Sequence, residues 1–316
     1  MGICDGKVVI VTGAGRGVGR GHAIEFARQG AKVVVNDLGG EADGTGADQT
    51  PAQQVVEEIR GMGGEAVANG DDVSDWEGAQ RLVNTAIESF GELHVVVNNA
   101  GILRDRMLTN MTEHEWDSVI KVHLKGTFAP ARWASAYWRE QFKSGTPVEG
   151  AAIINTSSTS GLFGNQGQTN YGAAKAGIGS FTIIASQELA RFGVTVNAIS
   201  PGARTRMTES LGFSRKPEDA AKFDSGHADN IAPTVVWLGS NEPAARAVTG
   251  RVFLVNGGNI NCMEGWEAGP GVSKDDRWDP AELSDVIPGL IEQAAENVMV
   301  ARQKERAARR AAQNSD

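Results

Sequence analysis

Short runs of apolar, β-branched residues recur along the chain at 7–12, 32–37, 65–69, 94–98, 152–156, 195–199 and 252–255. Most are continuous and lack strict alternation, the pattern of strands covered on both faces. Between them lie 17–29, 52–61, 76–90, 113–142, 170–191 and 229–239, each long enough for a crossover helix. Strand and helix alternating in this way predict an α/β fold with a doubly wound parallel sheet. Gly126 and Pro130 interrupt the 113–142 stretch, so a kink or division is expected there. No composition break divides residues 1–258, which read as one domain. Residues 259–316 read as a C-terminal extension, partly helical across 280–312 around a break at Pro288. A Gly/Asp-rich insertion at 39–50 reads as an exposed loop, either bordering a cofactor or substrate mouth or simply tolerated in solvent.

The first strand runs into TGAGRGVG at 12–19 and then into helical sequence. Glycines there permit a tight turn and let backbone approach a pyrophosphate, and the helix N-terminus offers amide donors to the anion. The spacing is TGxxxGxG, with Gly13, Gly17 and Gly19 at the defining places and Arg16 and Val18 between them. Asp37 ends the second strand 24 residues after Gly13, the position of an acid that binds adenosine ribose hydroxyls. Its carboxylate repels a 2′-phosphate, so NAD is favoured over NADP, although Arg16 offsets part of that repulsion.

Downstream, Tyr171 and Lys175 lie four residues apart on a predicted helix and so project from one face, with Ser158 at the end of the fifth strand. Lowering a phenol by about three units from its usual pKa near 10 requires about 4 kcal/mol of preferential stabilisation of phenolate. A lysine ammonium and an oxidised nicotinamide both act in that sense. Tyr171 is then placed to take an alcohol proton or return it to a ketone, and Ser158 to hydrogen-bond the developing alkoxide. Such a site needs no metal.

Composition narrows the partners. A net charge of −9, from 30 basic against 39 acidic residues, argues against nucleic acid as a partner, and the basic residues at 302–310 read as a solvated helix face. Cys4 and Cys262 are too few and too far apart for a disulfide framework. No stretch approaches the ~18 apolar residues of a membrane span, and the N-terminus lacks a signal peptide's layout, so a cytoplasmic protein is expected. Glycine is in excess, 40 of 316 residues, and is spread through turns rather than repeats.

Together, TGAGRGVG, the NNAG at 98–101, Ser158, the YGAAK at 171–175 and the PG at 201–202 resemble the short-chain dehydrogenase/reductase family over about residues 5–258. The resemblance implies a Rossmann-type sheet of seven parallel strands with nicotinamide near Tyr171. It also implies that Asp72 and Val73 form the adenine-side pair, that Asn99, Ala100 and Gly101 form a cofactor wall, and that Thr205 contacts the carboxamide; turn or packing roles are the alternatives. Within the family, VVVNDLGG, VVVNNAGILRDR, KVHLKGTF and GNQGQTNYGAAKAG resemble the (3R)-hydroxyacyl-CoA dehydrogenases of peroxisomal multifunctional enzymes and their bacterial steroid side-chain relatives. That likeness implies NAD-linked interconversion of 3-hydroxyacyl-CoA and 3-oxoacyl-CoA, with Ser158, Tyr171 and Lys175 catalytic. Oxidation of a steroid ring alcohol is the alternative, and a noncatalytic dinucleotide sensor is an alternative of another class. His123 stands where many members have Asn, and either supports a proton relay through water or packs in a helix. The helical stretches 113–142 and 170–191 resemble the family's dimer-forming helices, so a homodimer is expected, or a homotetramer.

Overall fold

Each apolar run singled out above forms a strand in the computed structural model, which describes residues 2–48, 50–205, 223–265, 267–296, 301 and 304. The strands are β1 (Val8–Thr12), β2 (Lys32–Asn36), β3 (Glu65–Asn69), β4 (Val95–Asn98), β5 (Ala152–Thr156), β6 (Thr195–Gly202) and β7 (Val252–Asn256), all parallel, in the order β3-β2-β1-β4-β5-β6-β7. An eighth strand departs from the seven expected: β8 (Asn259–Cys262) pairs antiparallel with β7 through the Gly257–Gly258 turn. Its residues are all exposed, so no apolar run marked it.

The helices are α1 (Gly17–Arg28), α2 (Thr50–Gly61), α3 (Trp76–Phe90), α4 (Glu113–Ile120), α5 (Gly126–Lys143), α6 (Thr159–Phe163), α7 (Thr169–Leu189), α8 (Ala232–Leu238), α9 (Pro243–Arg246) and α10 (Leu283–Gln293). The expected division of the 113–142 stretch falls at a π-helical turn, Lys121–Lys125, and Pro130 sits within α5. The break expected at Pro288 is corrected, because α10 continues through that residue. Two compact units result, Met1–Met263 and Glu264–Asp316. Residues 259–262, beyond the 258 expected for the first domain, join its sheet as β8. The basic segment 302–310 lies outside the described residues, apart from Lys304.

Side chains on each strand alternate between two cores, because a strand's period is two. Val9, Val11, Val33, Val35, Val95 and Val97 face one layer with Phe26 of α1, Ile59 of α2 and Val235 of α8. Val8, Ile10, Val34 and Val96 face the other with Leu82 of α3, Trp138 of α5 and Ala185 of α7. Covering both faces explains why the runs read as continuous rather than alternating. Strand order reverses between β1 and β4, and ligands of such sheets bind in the crevice outside the strand carboxyl ends at that switch.

Candidate active site

At the carboxyl end of β1 the chain must turn sharply into α1. Gly13 adopts a φ of +62°, and a Cβ on Gly19 would lie 2.1 Å from the Gly13 carbonyl oxygen, so both positions require glycine. Arg16 occupies the N-cap of α1 without a side-chain cap, and the first turn carries no acidic residue. The amides at Gly17, Val18 and Gly19 therefore begin a helix whose N-cap residue supplies no side-chain acceptor. Asn99 braces the turn: its Nδ2 donates to the Thr12 and Gly13 carbonyls at 3.0 and 3.2 Å. The Thr12 hydroxyl accepts from the Asn99 and Ala100 amides at 2.9 and 3.0 Å. This bracing accounts for NNAG, with Gly101 following, as a structural wall beside the turn.

Asp37 reaches the same place from β2. Its carboxylate accepts from the Gly15 amide at 2.7 Å and the Gly39 amide at 2.6 Å. The Arg16 guanidinium donates to Gly40 O at 3.4 Å. Thr205 flanks the other side, with its Cγ2 3.5 Å from where a Gly17 Cβ would stand. Asp72 accepts from the Ser74 amide and hydroxyl at 2.8 and 2.6 Å, forming a turn, and Val73 is buried in the core. The donor set fits a dinucleotide: a helix N-terminus for pyrophosphate, a carboxylate for ribose hydroxyls, and a lysine and three orphaned polar atoms further along. Those orphans, without a partner among the described residues, are Asn98 Oδ1, Thr156 Oγ1 and His123 Nδ1.

At the carboxyl end of β5, Ser158 caps α6, and its hydroxyl acts on the Tyr171 phenol in the sense that favours phenolate. Its hydroxyl oxygen accepts from the Ser160 amide at 3.2 Å. Lys175, one helical turn beyond Tyr171 on α7, is buried and donates to Thr156 O at 2.6 Å, with its Nζ 5.5 Å from the Tyr171 ring centre. The structure therefore brings Ser158, Tyr171 and Lys175 together as the sequence predicted. It corrects one electrostatic expectation. Burial pushes the Tyr171 phenol up to about 12, against the lowering effect of Ser158, and Asp105 raises it further. Burial also pushes the Lys175 ammonium down to about 7. The protein alone thus holds the phenol protonated rather than biasing it toward phenolate, because desolvation disfavours both charged forms.

His123 lies in the π-helical turn, fully buried, with its ring edge-on to Tyr171 at 5.1 Å between centres. Its Nε2 stands 2.7 Å from Ile102 O and 3.1 Å from Ile102 N. Burial, with Lys175 acting in the same sense, pushes it down to about 3, so the imidazole is neutral at working pH. Sequence reasoning missed Asn170, which donates to Arg104 O and Glu115 O at 3.0 Å and accepts from the Tyr171 amide at 2.7 Å, fixing the start of α7. Its place beside Tyr171 was the available signal. Also missed was the anchoring of the 39–50 insertion: Leu103 N donates to Ala42 O at 3.0 Å and Arg104 Nε to Asp43 O at 2.9 Å.

The same fold recurs in known proteins. The family model described as short chain dehydrogenase matches residues 7–216. Hydroxyacyl-CoA dehydrogenase ChsB1 of Mycobacterium tuberculosis is 43% identical over 294 residues, 89% of this chain and 87% of that protein. Mouse peroxisomal multifunctional enzyme type 2 is 44% identical over 83% of this chain, which spans 33% of that longer protein. A crystal structure of a short chain dehydrogenase from Mycobacterium avium superposes with a TM-score of 0.84 at 54% identity, covering 94% of this chain and 98% of that one. Among the described residues no helix is long and apolar enough to cross a membrane. With the glycine-braced helix start, the Ser158–Tyr171–Lys175 grouping and a matching model across two thirds of its length, this chain belongs to the short-chain dehydrogenase family.

Proposed function

We propose that the chain catalyses the NAD-linked oxidation of a 3-hydroxyacyl-CoA to the 3-oxoacyl-CoA, and its reversal. The observation that carries this reading is the grouping of Ser158 and Tyr171 with Lys175, whose Nζ lies 5.5 Å from the Tyr171 ring centre, at the same end of the sheet as the start of α1. The thioester class is supported by likeness to relatives named hydroxyacyl-CoA dehydrogenase and peroxisomal multifunctional enzyme.

In this reading Gly13, Arg16, Gly17, Val18, Gly19, Asp37, Asp72, Val73, Asn99, Ala100, Gly101 and Thr205 hold the dinucleotide, with Asp37 selecting NAD by repelling a 2′-phosphate. NAD, when bound, supplies the acceptor for the hydrogen and electron pair leaving carbon, and a positive charge near Tyr171. Tyr171 takes the hydroxyl proton in oxidation and returns it in reduction. Ser158 donates to the substrate oxygen and holds it against the phenol. Lys175 binds ribose and, once charged, favours the phenolate. Bringing the phenol from about 12 to neutrality corresponds to about 7 kcal/mol, so proton uptake by Tyr171 is coupled to occupancy of the site.

In this reading the chain is cytoplasmic and a homodimer, or a homotetramer, formed through α5 and α7; apolar surface exposed at Phe128, Ile183 and Ile184 supports that assembly, and sedimentation at micromolar concentration tests it. The function is tested by following absorbance of the reduced dinucleotide with NAD or NADP. The substrates are matched straight-chain and steroid-bearing 3-hydroxyacyl-CoA thioesters and free steroid alcohols. Turnover of thioesters with higher kcat/KM for NAD is expected. Turnover confined to free steroid alcohols, or higher kcat/KM with NADP, contradicts the reading.

A further inference from the structure

Beyond Ser158, Tyr171 and Lys175, a carboxylate at the mouth of the site is tied into the loop that carries the serine. Gln168, 4% exposed, donates from Nε2 to Asp105 Oδ2 at 2.7 Å. The same amide's Oε1 accepts from the Ser160 hydroxyl at 2.6 Å and from Asn165 Nδ2 at 2.9 Å. Ser160 in turn donates its amide to Ser158 Oγ. Hydrogen bonds therefore link Asp105 through one buried amide to Ser160, whose own backbone amide holds the Ser158 hydroxyl. The backbone on either side is fixed as well: Arg106 N donates to Gly167 O at 2.8 Å, and Arg104 O accepts from Asn170 beside Tyr171.

We propose that Asp105 is a positioning residue for the reaction: it anchors Gln168 beneath the Ser158 loop and sets a negative charge facing the Tyr171 phenol. The Gln168 Oε1 accepts from Ser160 and Asn165, which sets the way the amide faces, and its buried Nε2 then needs an acceptor. Asp105 supplies that acceptor, and without it the donor is left unpaired, which favours a shift of the amide away from Ser160 and Asn165. The charge has a separate consequence. The groups facing Tyr171 are Lys175 from α7, His123 from the π-helical turn, Ser158 from the β5 end and Asp105 from the segment after β4. His123 is neutral and burial holds Lys175 down to about 7, so Asp105 is the charge that acts on the phenol before the site fills. Asp105 disfavours phenolate, and its own carboxyl is raised by burial while Gln168 lowers it. Burial keeps the phenol protonated, and Asp105 adds to that effect until the site fills.

The inference rests on the proposed dehydrogenase reading only in needing a substrate that turns over. Asp105→Asn removes the charge while retaining an acceptor for Gln168. Its acid limb of kcat/KM for oxidation is expected to move down by about half a unit to one unit, a gain of about three- to tenfold at a pH on the limb. Asp105→Ala moves the limb equally and also lowers the plateau kcat about tenfold, as loss of one charge-assisted hydrogen bond implies. A limb that stays within about a fifth of a unit in both variants overturns the charge role. Equal plateaus for the two variants overturn the anchoring role.

A readout without turnover separates this from the functional reading. The chain has two tyrosines. In a Tyr137→Phe background labelled at tyrosine Cζ, the one remaining ring-carbon signal is Tyr171. Its titration with saturating NAD is expected to shift down in the Asp105→Asn variant by the same amount as the limb, and an unmoved titration overturns the proposal. Failure of every thioester with wild-type protein sinks the substrate reading but leaves this titration to be measured.

Discussion

Two buried lysines stand at opposite ends of the same sheet, and they are treated differently. Lys7, just before β1, donates to Gly150 O at 2.7 Å and Glu149 O at 3.3 Å, and burial, reinforced by Arg246, pushes it down to about 8. Nearby, His94 Nδ1 accepts from the Val8 amide at 3.1 Å. Lys175, at the carboxyl end, has the single carbonyl of Thr156 and lies near orphaned Thr156 Oγ1 and His123 Nδ1. An unsatisfied buried polar group costs about 1–3 kcal/mol, so a fold keeps several together only where something else will pair them. The amino-terminal end uses its polar groups to close the structure. In the proposed reading the carboxyl-terminal end leaves its polar groups for a ligand.

Replacing each lysine breaks the comparison most sharply. Lys175→Met is expected to lower kcat by about 10²- to 10⁴-fold with melting temperature unchanged or raised, since it removes a desolvated ammonium. Lys7→Met is expected to leave kcat within about twofold, because it touches only the far end. Equal losses of kcat would show that the two ends are not functionally distinct. Within the ligand end, Asp37→Ser removes acceptors for ribose and the charge that repels a 2′-phosphate. The ratio of kcat/KM for NAD over NADP is expected to fall about 10- to 100-fold. An unchanged ratio would leave Asp37 as a brace for the Gly15 and Gly39 amides alone.

Smaller effects follow on stability. Gly19→Ala forces a Cβ to 2.1 Å from Gly13 O and 2.5 Å from Asn99 Nδ2, so denaturant unfolding is expected to show about 1–3 kcal/mol of destabilisation and calorimetry weaker NAD binding. The lysines also give a pH signature. Unfolding returns both ammonium groups to the ordinary value of 10.5 from about 8 and about 7, so the unfolded chain binds more protons between those values. Stability of wild type is therefore expected to rise by about 2 kcal/mol from pH 7 to 8.5, and Lys7→Met to remove about 1 kcal/mol of that rise. A flat denaturation profile over that range would contradict the burial assigned to both groups.

The seven parallel strands and the glycine turn were legible because each imposes a local requirement: apolar residues on both faces, or backbone without a Cβ. Tyr171, Lys175 and Ser158 were legible from their spacing together with the glycine-rich turn and the place of Ser158 at the end of the fifth strand. β8 was not, since an exposed edge strand needs no apolar residues; only the Gly257–Gly258 pair between Asn256 and Asn259 marked the hairpin. Pro288 misled in the other direction, because α10 continues through it. The Asp105–Gln168 link joins residues 63 positions apart, which no local pattern reveals. The upward push on the Tyr171 phenol was illegible for a further reason: spacing places the ammonium near the phenol, but burial, a property of the whole fold, decides which charge survives.

The central claim is that Tyr171 exchanges the substrate's proton at a site the dinucleotide completes. It is tested most directly by Tyr171→Phe, with NAD affinity measured calorimetrically and turnover of a 3-hydroxyacyl-CoA followed in the same preparation. The account predicts an NAD Kd within about threefold of wild type and a kcat lower by about 10²- to 10⁴-fold. A variant that binds NAD normally and turns over at the wild-type rate would contradict it.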